Sequence, residues 1–194
     1  MRKIHCDEQE AKHLKEIEGS PKVDSESLAC GYVKYFIKCL GLERKTSYKF
    51  AERPDLHNRQ SAQPDYLFSE CDTGKLIAIE YTRIYKREES TKNKAFIIDE
   101  YDKRNPTPLF DGINPPTPSE LGERLTEFFI RKLSKGQFNS YTHAERILLC
   151  RNIWTDAGTK HFIGAQYSIE CQLLEKYCDH IYVIMRNLDI LEIF

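Results

Sequence analysis

Two continuous apolar runs, "RILLC" at 146–150 and "IYVIM" at 181–185, constrain this chain more than any other feature. A strand that alternates apolar with polar residues keeps one face in water. An unbroken apolar strand is covered on both faces, the usual condition of strands in parallel α/β sheets. Between the runs, Ile169, Leu173, Leu174, Tyr177 and Cys178 recur at helical spacing over 168–178. The segment therefore reads as a βαβ unit, and a central sheet with helices on both sides is expected.

The rest of the chain fits that frame. Residues 7–18 predict a short surface helix carrying Ala11, Leu14 and Ile17. Asp24 is placed to cap a second helix, whose stripe of Leu28, Tyr32, Val33, Phe36, Ile37 and Leu40 runs until Gly41. Strands are expected at 46–52, 65–70 and 76–84, the last two joined through Asp72-Thr73-Gly74, with Gly74 supplying the positive φ of the turn. Thr117 to Glu120 spells a capping box with proline at the first helical position, and the helix it opens should end at Gly136. Between these parts, 86–118 is rich in proline and longer than an ordinary turn, which suggests an insertion or lid.

A chain of 194 residues suits a single domain. The expected organisation is an N-terminal helical appendage at 1–20, a helix and meander at 22–85, the insertion at 86–118, and a helix with the βαβ unit at 119–194. No stretch reaches the roughly twenty apolar residues of a membrane helix. The N-terminus lacks the apolar centre of a signal peptide, so a cytoplasmic protein is expected. The seven cysteines are odd in number and sit mostly in apolar runs, which suits reduced thiols. With 29 basic against 30 acidic residues, no global positive field exists to attract a polyanion. Nucleic acid could bind only through a local patch, and Arg83, Lys86 and Arg87 provide the candidate, although Glu88 and Glu89 interrupt it.

The chemistry concentrates in "IAIEYTR", residues 77–83. Strand alternation puts Glu80 and Thr82 on one face and Ile77, Ile79 and Tyr81 on the other. If 65–70 runs antiparallel to this strand, Asp65 lies beside Glu80. Two carboxylates that close repel unless a cation bridges them or one keeps its proton.

Pro64-Asp65, the hairpin and Glu80-Tyr81-Thr82 together resemble the PD-(D/E)xK nuclease superfamily, the restriction-endonuclease-like fold, whose αβββαβ core matches the expected order over 24–185. The resemblance implies a central mixed sheet flanked by helices and metal-dependent hydrolysis of phosphodiester bonds, in DNA rather than RNA. It implies Mg²⁺ or Mn²⁺ held by Asp65, Glu80 and the Tyr81 carbonyl, with Glu26 as a further acid from the first helix. A first-turn glutamate is also favoured simply by the helix dipole. The chain departs from the family pattern at the motif lysine, where Thr82 stands and can hydrogen-bond a water but cannot act as a base near neutral pH. Lys132, on the apolar stripe of its helix with Phe128 four residues back, is the candidate replacement. The alternative is a nuclease fold that no longer cuts and serves as a binding or regulatory module, and a homodimer or protein partner is left open.

Overall fold

The computed structural model describes residues 2–4, 8–18, 23–57, 62–84, 117–153 and 158–194. The chain forms a mixed seven-stranded sheet between two layers of helices. Its elements are β1 (Arg2–Ile4), α1 (Glu8–Glu18), α2 (Ser25–Arg44), β2 (Tyr48–Glu52), α3 (Pro54–His57), β3 (Tyr66–Glu70) and β4 (Leu76–Ile84). They continue with α4 (Pro118–Leu133), β5 (Glu145–Asn152), α5 (Thr159–Ala165), a 3₁₀ turn (Gln166–Ser168), α6 (Cys171–Leu174), β6 (His180–Ile184) and β7 (Ile190–Glu192).

The strand order is β1-β7-β6-β5-β4-β3-β2, with β4, β5 and β6 parallel and the remaining neighbours antiparallel. As their unbroken apolar runs require, β5 and β6 lie in the interior of the sheet and are covered on both faces. On one face Ile77, Ile79, Tyr81, Ile147 and Leu149 pack with Val33, Phe36 and Leu40 of α2. On the other, Ala78, Leu148 and Cys150 pack with Leu125 and Phe129 of α4 and Phe162 of α5.

Local signals are realised where they are strong. Asp24 accepts a hydrogen bond from the Ser27 N–H at 2.6 Å, and the Thr117–Glu120 capping box forms in both directions. β3 and β4 pair antiparallel across the turn containing Gly74, whose φ is +73°. The second helix does not stop at Gly41. It continues to Arg44 and ends on Lys45 in the left-handed region. Gly41 serves a different need: a Cβ there would lie 2.8 Å from the Thr46 carbonyl of the returning chain.

Two further expectations are corrected. The segment 168–178 is not one helix but the 3₁₀ turn and the short α6, preceded by the unforeseen α5. The physical reason is tertiary: the Glu170 N–H donates to Thr126 Oγ1 on α4 at 3.1 Å, so the backbone bond that would continue a helix is spent across the interface. The described residues of the expected N-terminal appendage, 2–4 and 8–18, also join the sheet and the core. β1 pairs with β7 at the sheet edge, and α1 buries Leu14 against α2, where a Cβ on Gly31 would lie 3.2 Å from Leu14 Cδ1. The expected insertion at 86–118 lies outside the described residues, apart from Thr117 and Pro118, which begin α4.

Candidate functional site

Pro64 ends the pairing of β3 because proline has no N–H for the ladder. The last register pair is Tyr66 with Ile79, which sets Asp65 against Glu80 and leaves the next outward N–H of β4, that of Tyr81, without a strand partner. The Asp65 carboxylate takes that place, with Oδ2 accepting from the Tyr81 N–H at 2.7 Å. Within a strand, the N–H and C=O of one residue point to the same side, so the Tyr81 carbonyl faces the same edge as Asp65.

Glu80 projects from the opposite side of β4 to Tyr81, towards α4, and is 4% exposed. Lys132 Nζ approaches Glu80 Oε1 at 3.0 Å. Gln137 donates through Nε2 to the Lys132 carbonyl at 2.9 Å and to Glu80 Oε1 at 3.4 Å. Two buried acceptors, Glu80 Oε2 and Gln137 Oε1, have no hydrogen-bond partner among the described residues. Buried polar atoms are normally satisfied, so an orphan carboxylate oxygen marks a place where a cation or a donor fits.

The electrostatics agree with the geometry. Burial pushes the Asp65 carboxyl well above the usual carboxylate range, and Glu80 adds to the rise, while Lys132 and the Tyr81 N–H offset part of it. Burial also raises Glu80, against the pull of Lys132. Lys132 thus faces two crowded carboxyls, with Lys135 adding its charge at Glu80, an arrangement that favours either a retained proton or a further cation.

Asp55 was not singled out from the sequence, yet its charge raises both Asp65 and Glu80. It is held by the Arg53 guanidinium in two parallel bonds, Nε to Oδ1 at 3.0 Å and Nη2 to Oδ2 at 2.9 Å. No local pattern could have flagged it, because α3 has only four residues. Gln137 was also missed. It follows Gly136, whose φ of +84° turns the chain back under the end of α4, and a glutamine in such a turn is ordinarily a surface residue.

Of the other sequence candidates, Thr82 is buried on the same face as Glu80, in register with Cys150 of β5. Glu26 is not brought to the pair: its side chain is 66% exposed and meets Arg53 at 3.2 Å. Arg83 is buried on the α2 side of the sheet, with Nη2 3.5 Å from the Ser25 carbonyl, rather than in a surface patch. Lys86 and Arg87 lie outside the described residues.

Among the described residues, no group of three or more His, Cys, Asp or Glu side chains is gathered tightly enough to hold a metal ion. The donors at hand are the buried Glu80 carboxylate, the half-buried Asp65 carboxylate and one main-chain carbonyl. That all-oxygen set fits a hard cation such as Mg²⁺ or Mn²⁺, which commonly binds through one or two carboxylates and keeps several waters. No helix among the described residues is long and apolar enough to cross a membrane. Comparison with protein-family models, curated proteins and solved structures gives no match.

Proposed function

We propose that this chain is a divalent-metal-dependent nuclease with a PD-(D/E)xK-like core, in which the lysine missing at Thr82 is supplied from α4. The observation that carries the reading is the ion pair of Lys132 with Glu80 beside Asp65. The run α2-β2-β3-β4-α4-β5, interrupted by the one-turn α3 between β2 and β3, supports it, since its two long helices lie on opposite faces of the sheet.

Asp65, Glu80 and the Tyr81 carbonyl would hold the cation, Mg²⁺ or Mn²⁺. When bound, such a cation supplies Lewis acidity at a phosphoryl oxygen and lowers the pKa of a coordinated water. Lys132 adds a positive charge where the phosphodiester becomes more negative, and its N–H groups can hold the attacking water. Gln137 orients Lys132 through its backbone carbonyl and steadies Glu80. Thr82 contributes at most a hydroxyl to the solvent structure beside them. DNA rather than RNA is the proposed substrate, by the resemblance alone.

The test is cleavage of plasmid and single-stranded DNA in Mn²⁺ by the full chain, beside Asp65→Asn and Glu80→Gln. Loss of cleavage in both variants, with folding intact, supports the reading. Equal cleavage by all three proteins overturns it.

The absence of a third clustered ligand among the described residues favours a second reading, a nuclease-like fold kept for binding or regulation. Calorimetric titration with Mn²⁺ separates the two. Saturable binding that disappears in Glu80→Gln supports the nuclease, and no heat in the wild-type protein supports the binding module.

A further inference from the structure

A cleft of about 350 Å³ opens between α2 and the antiparallel strands β2 and β3. Its walls are Cys30, Val33 and Lys34 of α2, Phe50 of β2, Tyr66 and Phe68 of β3, and Arg53. Phe50 is 56% exposed although it is a large apolar side chain, and it meets Phe68 edge-to-face at 5.8 Å between ring centroids. The Arg53 guanidinium carbon lies over the Tyr66 ring, 4.5 Å from its centroid. β2 is the outermost strand of the sheet, so the cleft is open to solvent along one side.

We propose that this cleft takes one unstacked nucleobase of a single-stranded nucleic acid. The inference rests on the nucleic-acid reading of the acid pair and names the substrate class. Four observations lead to it. The volume accommodates a single planar heterocycle with its sugar and is too small for a helix or strand of a partner protein. Phe50 offers exposed aromatic surface, on which any base can stack without sequence preference, while Tyr66 and Phe68 are buried behind it. Lys34 is exposed at the rim and provides a cation for the phosphate that accompanies the base. Arg53 adds a second cation to the wall, its guanidinium held in place by Asp55. A duplex, whose bases are stacked and paired, would have to release a base to enter.

The test is fluorescence anisotropy of a labelled mixed-sequence 12-nucleotide DNA strand, titrated in chelator so that no cleavage occurs. The proteins are the full chain, Phe50→Ala, Phe50→Trp and Lys34→Ala. Because Phe50 is exposed, the variants should fold, which circular dichroism checks. Stacking of this kind is worth about a tenfold change in affinity or more per base. Phe50→Ala should thus weaken binding about tenfold, Phe50→Trp should preserve it, and an abasic strand of the same length should bind the wild-type protein as weakly as the normal strand binds Phe50→Ala. Indifference to Phe50→Ala, equal binding of the abasic strand, or no binding at all overturns the proposal, as does a wild-type dimer in sedimentation that Phe50→Ala dissolves. Failure of the cleft is distinct from failure of the nuclease reading. Cleavage lost in Asp65→Asn but binding indifferent to Phe50 sinks only the cleft. Binding that depends on Phe50 with no cleavage in Mn²⁺ sinks only the nuclease.

Discussion

Lys132 Nζ lies 3.0 Å from Glu80 Oε1, so a lysine of helix α4 brings its charge to the strand position next to the one where Thr82 carries none. Helix periodicity makes this possible: Lys132 follows Phe128 by four residues, sharing the face that packs on the sheet, and its long stem crosses the apolar layer to place the ammonium over Glu80. Lys132→Met keeps the stem and removes the charge. Glu80 can then take up a proton, so stability should change little. Mn²⁺-dependent DNA cleavage should fall by about 100-fold or more, the usual contribution of a positioned proton-handling group. The pH dependence of the residual rate, measured beside the melting temperature, separates this role from a structural one.

Asp65 and Glu80 are both held above their ordinary values, so between about pH 4 and those raised values the folded chain binds more protons than the unfolded one. Their contribution to stability is present at low pH and is lost as pH rises through that window. Asp65→Asn removes the charge while its amide oxygen still accepts from the Tyr81 N–H. Without divalent cations the variant should be more stable than the wild-type protein at pH 7, by roughly 1 kcal/mol, with a smaller gain at pH 5. Adding Mn²⁺ should raise the wild-type melting temperature and leave that of the variant unmoved, because only a protein that binds the ion is stabilised by it. Differential scanning fluorimetry at both pH values reads all of these outcomes.

Gly122 of α4 lies where the helix meets the 3₁₀ turn after α5. A Cβ there would come 2.5 Å from Ser168 Cβ and 2.6 Å from the Ala165 carbonyl, and neither neighbour is the far end of a flexible side chain. Gly122→Ala should therefore destabilise the chain by roughly 1–3 kcal/mol despite alanine's better helix propensity. Urea denaturation with an unchanged m-value would show that the loss is one of packing.

Glu145 begins β5 at the end of the sheet opposite the carboxylate pair, bonded to Arg44 at 2.6 and 3.0 Å and to Lys75 at 2.9 Å. Burial alone would raise its carboxyl, but the hydrogen bonds and charges of Arg44 and Lys75 prevail and hold it below the ordinary value. Its stabilisation is therefore complete above about pH 4.3, the unfolded value, and is lost as pH falls towards the lowered folded value. Glu145→Gln should cost roughly 1–2 kcal/mol at pH 7, since Lys75 is largely exposed and solvent screens part of the pairing. The deficit should shrink on acidification below pH 4, as urea unfolding across pH 3–7 can measure.

The layers were legible from the chain itself, because burial on both faces writes an unbroken apolar run and burial on one helical face writes a stripe. "RILLC" and "IYVIM" became β5 and β6, and the capping residues Asp24, Thr117 and Glu120 act through bonds to residues three positions away. The meeting of Asp65 with Glu80 was legible for the same reason, since a short antiparallel connection sets the register of its two strands. What lay beyond this reach depended on contacts between distant segments. The three-residue strands β1 and β7 are too short to show a period and exist because each supplies the other's hydrogen bonds. The helix expected at 168–178 breaks because Thr126, on another helix, takes the Glu170 N–H. Likewise Gln137 meets Glu80 and Lys132, and Glu26 does not, because the packing of α4 and α2 on the sheet sets which side chains come together. Local spacing determines which face a residue occupies, and the tertiary structure decides what it meets there.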